Sequence, residues 1–273
     1  MAQATTKERL EKGKSSIDSK PMITLRKIAH PFLLAIAQTK ITYKLKRENK
    51  YIVDKKKPII FAVNHTNSQD IPLVCSAIKK HAYLLIGKQN LEPVDELFFN
   101  LNGAVFVDRN DKEDRKISKD AMVSYLKKDI PLIMFPEATW NLTDEKLMLP
   151  MRWGIIDIAK EADAQIVPVV LDYDKETNKC NVKFGKTITP DPEKDKSELI
   201  RDLRDEMSSI RYEFMEKKGM KKRETIDIEK EKEEMLSAVS EYPKLDYEYE
   251  QSTIFKPYVD QEEVFEPIKK LNR

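Results

Sequence analysis

From residue 58 onward, short apolar runs alternate with helical patterns, and this alternation restricts the chain more than any other feature. Residues 58–64, 81–88, 103–109, 131–137 and 165–173 each read as a short strand with apolar residues on both faces, and 180–184 adds a sixth. Between them, 70–79, 93–101, 111–128 and 154–162 carry helical spacing. A strand that is apolar on both sides must be covered on both sides. Strands alternating with helices of this length give an α/β domain with a mostly parallel central sheet flanked by helices. A long charged helix is expected over 193–217, interrupted near Gly219.

Charge divides the rest of the chain. The total is nearly balanced, 49 Lys and Arg against 47 Asp and Glu, and gives no sign of a nucleic-acid partner. Residues 1–60 nevertheless carry 15 basic and 5 acidic side chains, a net of +10, while 224–273 carry 7 and 14, a net of −7. Residues 1–20 read as a disordered basic leader. Within 22–45, Leu25, Ile28, Ala29, Phe32, Leu33, Ile36 and Ala37 recur at helical spacing, with Pro31 expected to kink or split the helix. Arg26, Lys27, Lys40, Lys44, Lys46 and Arg47 flank that stripe. A basic amphipathic helix of this kind suits an anionic bilayer surface, and packing against the main domain is the competing use of the same face. The apolar run 31–37 is too short to span a membrane and lacks a cleavage pattern after it, so no transmembrane helix is expected and the protein is read as cytoplasmic. Two distant cysteines, Cys75 and Cys180, exclude a disulfide framework and fit a reducing compartment, and no ligand cluster calls for a metal. The division expected is a leader over 1–20, an amphipathic helical docking segment over 21–50, an α/β domain over 51–218, and a charged helical and acidic extension over 219–273.

The chemistry-bearing residues follow apolar runs, where open α/β sheets bind ligands. In NHTNSQD, residues 64–70, His65 leaves the first strand and Asp70 lies five positions on, at the start of the next helix. An imidazole oriented by a carboxylate makes a base able to take a proton from a hydroxyl; a helix cap beside a chance histidine is the bland alternative. In GAVFVDR, Arg109 offers a planar fork suited to phosphate. In FPEATWN, residues 135–141, Glu137, Thr139 and Trp140 follow a strand. In IVPVV, residues 166–170, Pro168 lies inside a strand, which points to an edge or a bulge.

In order and in spacing these four segments resemble the blocks of the lysophospholipid acyltransferase family, which includes the 1-acylglycerol-3-phosphate acyltransferases, over about residues 58–171. The resemblance implies a glycerol-3-phosphate acyltransferase-like fold and no cofactor. It implies His65 as general base and Asp70 as its orienting partner, moving an acyl group from acyl-CoA or acyl carrier protein to the hydroxyl of a lysophospholipid or glycerol phosphate, most simply 1-acylglycerol-3-phosphate, in phospholipid synthesis. It implies Arg109 on the acceptor phosphate, Glu137 with Thr139 and Trp140 lining the acceptor pocket, Pro168 shaping the site, and residues 22–45 docking the enzyme peripherally on the cytoplasmic membrane face. The third block of the family usually reads FPEGTRS; here Ala138 stands for its glycine and Trp140 for its arginine. Arg152 is then a candidate replacement cation, and a non-phosphate acceptor such as a lysoglycolipid becomes an alternative. A catalytically silent lipid-binding protein and a soluble ester or thioester hydrolase are the competing readings.

Overall fold

The computed structural model describes residues 4–11, 19–88, 93–141 and 146–219, with isolated positions between 224 and 237. In chain order the elements are α1 (Thr6–Glu11), α2 (Lys20–Gln38), β1 (Lys44–Arg47), β2 (Ile59–Val63), α3 (Asp70–Ile78), β3 (Tyr83–Gly87), α4 (Pro93–Leu101), β4 (Ala104–Val107), α5 (Lys112–Leu126), β5 (Leu132–Met134), α6 (Gly154–Glu161), β6 (Gln165–Asp174), β7 (Lys179–Phe184) and α7 (Lys196–Lys218). Their strands form one sheet in the order β1-β7-β6-β2-β5-β3-β4. The central block β6-β2-β5-β3-β4 is wholly parallel. β7 returns antiparallel to β6, and β1 pairs parallel to β7. The α/β reading therefore holds, and all six expected strands are present.

Both faces of β2 are fully buried, as its unbroken IIFAV run demands. Ile60 and Ala62 face a core completed by α5, α6 and α7. Ile59, Phe61 and Val63 face a second core built on Leu73, Val74, Ala77 and Ile78 of α3. Because β2 to β6 run the same way, the segments after β2, β3, β4 and β5 and the last residues of β6 all emerge at one edge.

Three expectations give way. The first helical segment ends at Gln38, and residues 44–47, read as its basic flank, are instead strand β1 of the sheet. Leu45 packs on the core while Lys44 and Lys46 alternate outward, the pattern of an edge strand that carries charge on its open side. Helix α2 runs through Pro31 as one helix, so of the two outcomes expected there the split does not occur. Residues 4–11 are not a loose leader: the Thr6 hydroxyl donates to the Phe106 carbonyl at 2.8 Å, and the Lys7 N–H donates to Asp114 Oδ1 at 2.9 Å. The acidic extension expected over 219–273 lies almost wholly outside the described residues.

Pro168 is on an interior strand, paired with Ala62 of β2, rather than on an edge. The bulge alternative is the one realised. Val169 pairs with Phe184, but Ile166 bridges to Ile188, so the segment after β7 carries one residue more than β6 over the same stretch. The Pro168 carbonyl accepts from Gly185 N–H at 2.9 Å, where the regular β7 ladder ends and an N–H is not needed.

Gly103 admits β4 beside β3. It holds φ +85°, and a Cβ there would overlap the ring of buried Tyr83. Gly103→Ala is expected to destabilise the fold by about 2–4 kcal/mol through strain and displaced packing, read as a lowered urea midpoint at unchanged m-value. A midpoint equal to that of the unsubstituted protein contradicts this packing.

Candidate active site

The turn between β2 and α3 is organised around one carboxylate. Asp70 is the first residue of α3 and is completely buried. Its Oδ2 accepts from the N–H of Thr66 at 2.7 Å and of Asn67 at 2.9 Å, and lies 2.8 Å from His65 Nδ1. Its Oδ1 accepts from the Tyr173 hydroxyl at the end of β6. A carboxylate next to Nδ1 selects the tautomer with hydrogen on that nitrogen, which leaves the lone pair on Nε2. The His65 side chain is 17% exposed, reachable but largely walled in. Phe135 stacks on its ring at 4.2 Å between centroids, and Trp140 stands at 5.2 Å, tilted by 58°.

The strand end that carries His65 is pinned from the sheet. Asn64 is buried, and its side chain closes a two-bond ring with Leu171 of β6: Nδ2 donates to the Leu171 carbonyl at 3.0 Å, and Oδ1 accepts from its N–H at 2.7 Å. The polar residue that ends the apolar run is thus a clamp.

Glu137 is also buried, and each oxygen meets a backbone donor: His65 N–H at 3.2 Å and Leu149 N–H at 2.7 Å. It joins the dyad turn to the loop leading into α6. Asn141 N–H to the His65 carbonyl at 2.7 Å and Arg152 N–H to the Pro136 carbonyl at 2.8 Å stitch the same segments. Burial pushes the Glu137 carboxyl up to about 7 against the pull of its two N–H donors and the Arg211 charge. Ala138 follows at φ +60°, the left-handed region, at a cost of about 1 kcal/mol for a residue with a Cβ. The position keeps a backbone suited to glycine although its side chain has changed.

Arg109 leaves β4, at the far end of the sheet from β7, but its guanidinium reaches back over Gly87, the last residue of β3. A Cβ on Gly87 would overlap that guanidinium, so the glycine makes the space the arginine occupies. β3 lies two strands from β2, so the cation is brought to roughly 10 Å from the strand that leads to His65. Arg115 donates to the Arg109 carbonyl and holds the turn.

Of the residues singled out in the sequence, His65, Asp70, Glu137 and Trp140 meet in direct contact or through one backbone bond. Thr139 is half-buried on the same segment, and Arg152 joins it through its backbone. Arg109 stands two strands away. Pro168 is buried within the sheet, paired with Ala62 of β2. Tyr173 and Asn64 are contacts of this turn that sequence reading missed: Tyr173 lies 103 residues from Asp70, and the only local signal was a tyrosine at the end of a strand. Among the described residues, no cluster of three or more His, Cys, Asp or Glu is placed to hold a metal.

Residues 44–172 match the family model described as Acyltransferase. This stretch is an acyltransferase-family domain. It spans β1 to the end of β6 and includes the whole dyad turn. An uncharacterized acyltransferase of Schizosaccharomyces pombe is 27% identical over 139 residues, 50% of each chain. A 1-acyl-sn-glycerol-3-phosphate acyltransferase of Saccharomyces cerevisiae is 32% identical over 119 residues, 42% of this chain and 39% of its own. The matched stretch thus spans half or less of the length of these curated relatives. The crystal structure of the 1-acyl-sn-glycerophosphate acyltransferase PlsC from Thermotoga maritima superposes with a TM-score of 0.58 at 16% identity, covering 77% of this chain and 88% of that one, and shares the fold.

The raised Glu137 carboxyl has a measurable consequence. A group that titrates at about 7 when folded and near 4.5 when unfolded contributes stability that is whole below about pH 4.5 and is lost as pH rises through 7. Glu137→Gln removes that titration. The unfolding free energy of the wild type, relative to the Gln variant, is expected to fall by on the order of 2 kcal/mol between pH 5 and pH 8 in urea melts. Parallel pH profiles for the two proteins contradict this assignment.

Proposed function

We propose that the protein is an O-acyltransferase that moves a fatty acyl group from a thioester donor, acyl-CoA or acyl carrier protein, to the hydroxyl of a lysophospholipid, with 1-acylglycerol-3-phosphate the leading acceptor. The observation that carries this reading is the His65–Asp70 pair at 2.8 Å, at the open edge of a parallel sheet and within an acyltransferase-family domain. Nε2 of His65 takes the acceptor's hydroxyl proton, and the alkoxide oxygen attacks the thioester carbonyl. The tetrahedral intermediate expels the thiolate, which recovers the proton from the imidazolium while Asp70 stabilises that cation. The ester C–O bond forms, the C–S bond breaks, and the enzyme returns to its starting protonation. Arg109, held over Gly87, is the group we assign to the acceptor phosphate, since its fork suits two phosphate oxygens.

Trp140 in contact with the base favours a second acceptor class. An indole where a cation is usual offers an apolar wall rather than a phosphate contact, and it suits a sugar or glycerol face. A panel of purified lysolipids, including lysophosphatidic acid and a lysoglycolipid, read by mass spectrometry of the acylated product, distinguishes the two. His65→Ala is expected to lower transfer by at least about a hundredfold. Equal turnover by wild type and variant removes His65 as the base, and free fatty acid without acylated lipid replaces transfer by hydrolysis.

The membrane reading rests on α2. Leu25, Ile28, Phe32 and Ile36, spaced as one helical face, are 48%, 61%, 69% and 58% exposed. The opposite side packs inward: Arg26 is buried, with Nη1 3.3 Å from the Tyr83 hydroxyl. The helix borders α4, whose Val94 and Leu97 are exposed as well. Among the described residues no helix is long and apolar enough to cross a membrane. An apolar face of this size beside the basic segment suits a helix lying in an anionic surface. Replacing Leu25, Ile28, Phe32 and Ile36 by Ser is expected to abolish flotation with vesicles containing anionic lipid, and raised salt is expected to weaken flotation of the wild type. Undiminished flotation of the fourfold variant places the membrane contact elsewhere.

A further inference from the structure

The two oxygens of Asp70 are held by different parts of the chain. Oδ2 is held locally, by Thr66 and Asn67 of its own turn together with His65. Oδ1 accepts from Tyr173, which comes from β6. A carboxylate anchored at one oxygen can still turn about its last torsion, which is broad for Asp. Anchoring the second oxygen from a rigid strand fixes the carboxylate plane, and with it the direction in which Oδ2 meets Nδ1.

Tyr173 is itself over-determined. Its backbone pairs with Cys180 of β7, and its carbonyl accepts from Lys218 Nζ of α7 at 3.0 Å. Its ring meets Tyr43 edge-on, 4.8 Å between centroids at 73°. Tyr43 lies in the short segment that leaves α2 and enters β1. The residue before it, Thr42, is also bound to the dyad turn: its N–H donates to Gln69 Oε1 at 2.8 Å, and its hydroxyl oxygen accepts from Gln69 Nε2 at 2.9 Å. Gln69 immediately precedes Asp70. The exit of the helix with the exposed apolar face therefore grips the catalytic turn at two points, through Gln69 and through Tyr173.

We propose that Tyr173 is a positioning residue for the His65–Asp70 pair, and that Thr42 and Tyr43 tie this pair to α2. The proposal rests on the acyl-transfer reading for its kinetic consequences, but not for its structural ones. The groups that face Tyr173 are Asp70 from α3, Cys180 from β7, Tyr43 from the α2–β1 segment and Lys218 from α7. Burial and the Asp70 charge push the Tyr173 phenol well above its ordinary range, so it stays protonated and serves as a donor throughout the working pH.

Tyr173→Phe keeps the ring and removes the donor. An Asp70 carboxylate relieved of one hydrogen bond interacts more strongly with the imidazolium. The acid limb of the pH profile of kcat/KM, measured on the full chain with acyl-CoA and lysophosphatidic acid in anionic vesicles, is expected to move upward by about half a pH unit. kcat at the optimum is expected to fall about tenfold with KM for both substrates unchanged. Tyr43→Ala is expected to shift the limb in the same direction by a smaller amount. Thermal melts correct each rate for folded fraction, and NMR titration of the His65 ring, assigned with His65→Ala, gives the same displacement without reference to turnover. A Tyr173→Phe variant with the wild-type limb and wild-type ring titration overturns the proposal, and a fall in rate with neither displaced marks a purely structural role and overturns it equally. A Tyr43→Ala variant with an unmoved limb overturns the tie to α2. If the wild type transfers no acyl group, the function assigned above fails, and the ring titration alone still decides the role of Tyr173.

Discussion

Everything at the candidate site follows from burying the Asp70 carboxylate completely. A charge without solvent must be surrounded by donors, or burying it costs more than the fold can bear. The chain meets that demand with two N–H groups of a tight turn, one imidazole and one phenol. Each donor is thereby fixed in place. The imidazole gains a defined tautomer, the turn gains its shape, and β6 is bound to α3. Solvation of the Asp70 carboxylate and alignment of the His65 ring are the same set of contacts.

A second buried carboxylate does comparable work from the other side. Glu137 bridges His65 N–H and Leu149 N–H, so the turn at His65 and the loop before α6 are tied together. The changes in this block relative to the family pattern are uneven in their effect. Ala138 retains a left-handed backbone and alters strain rather than shape. Trp140 changes the surroundings of His65, because its indole lies against the imidazole ring.

The placement of α2 adds a physical link between an exposed apolar face and the turn that holds Asp70. Its inward side is held by Arg26 on Tyr83 and by His30 Nδ1 at 3.1 Å from Asn102 Oδ1. Its outward side is apolar and open. Only five residues, 39–43, separate α2 from β1, and Thr42 among them is bound to Gln69, which precedes Asp70. Length of connection sets how tightly two elements are coupled, and this connection is short.

The sequence by itself determined the alternating α/β order, the parallel core and the pairing of His65 with Asp70. Those properties are written in local periodicity and in residues five apart, and burial of both strand faces leaves no other arrangement for IIFAV or IVPVV. Tertiary structure decided the rest. Lys44–Arg47 reads as a basic helix flank, yet it becomes an edge strand because β7 offers it an unpaired ladder. Arg109 leaves the strand at the sheet's end, yet its charge lies over Gly87 because a missing side chain opens that space. Pro168 fits an interior strand because its neighbour bulges at that point. Tyr173 reaches Asp70 across 103 residues, a contact with no periodic or local trace, since it depends on where two strands end relative to each other in the folded sheet.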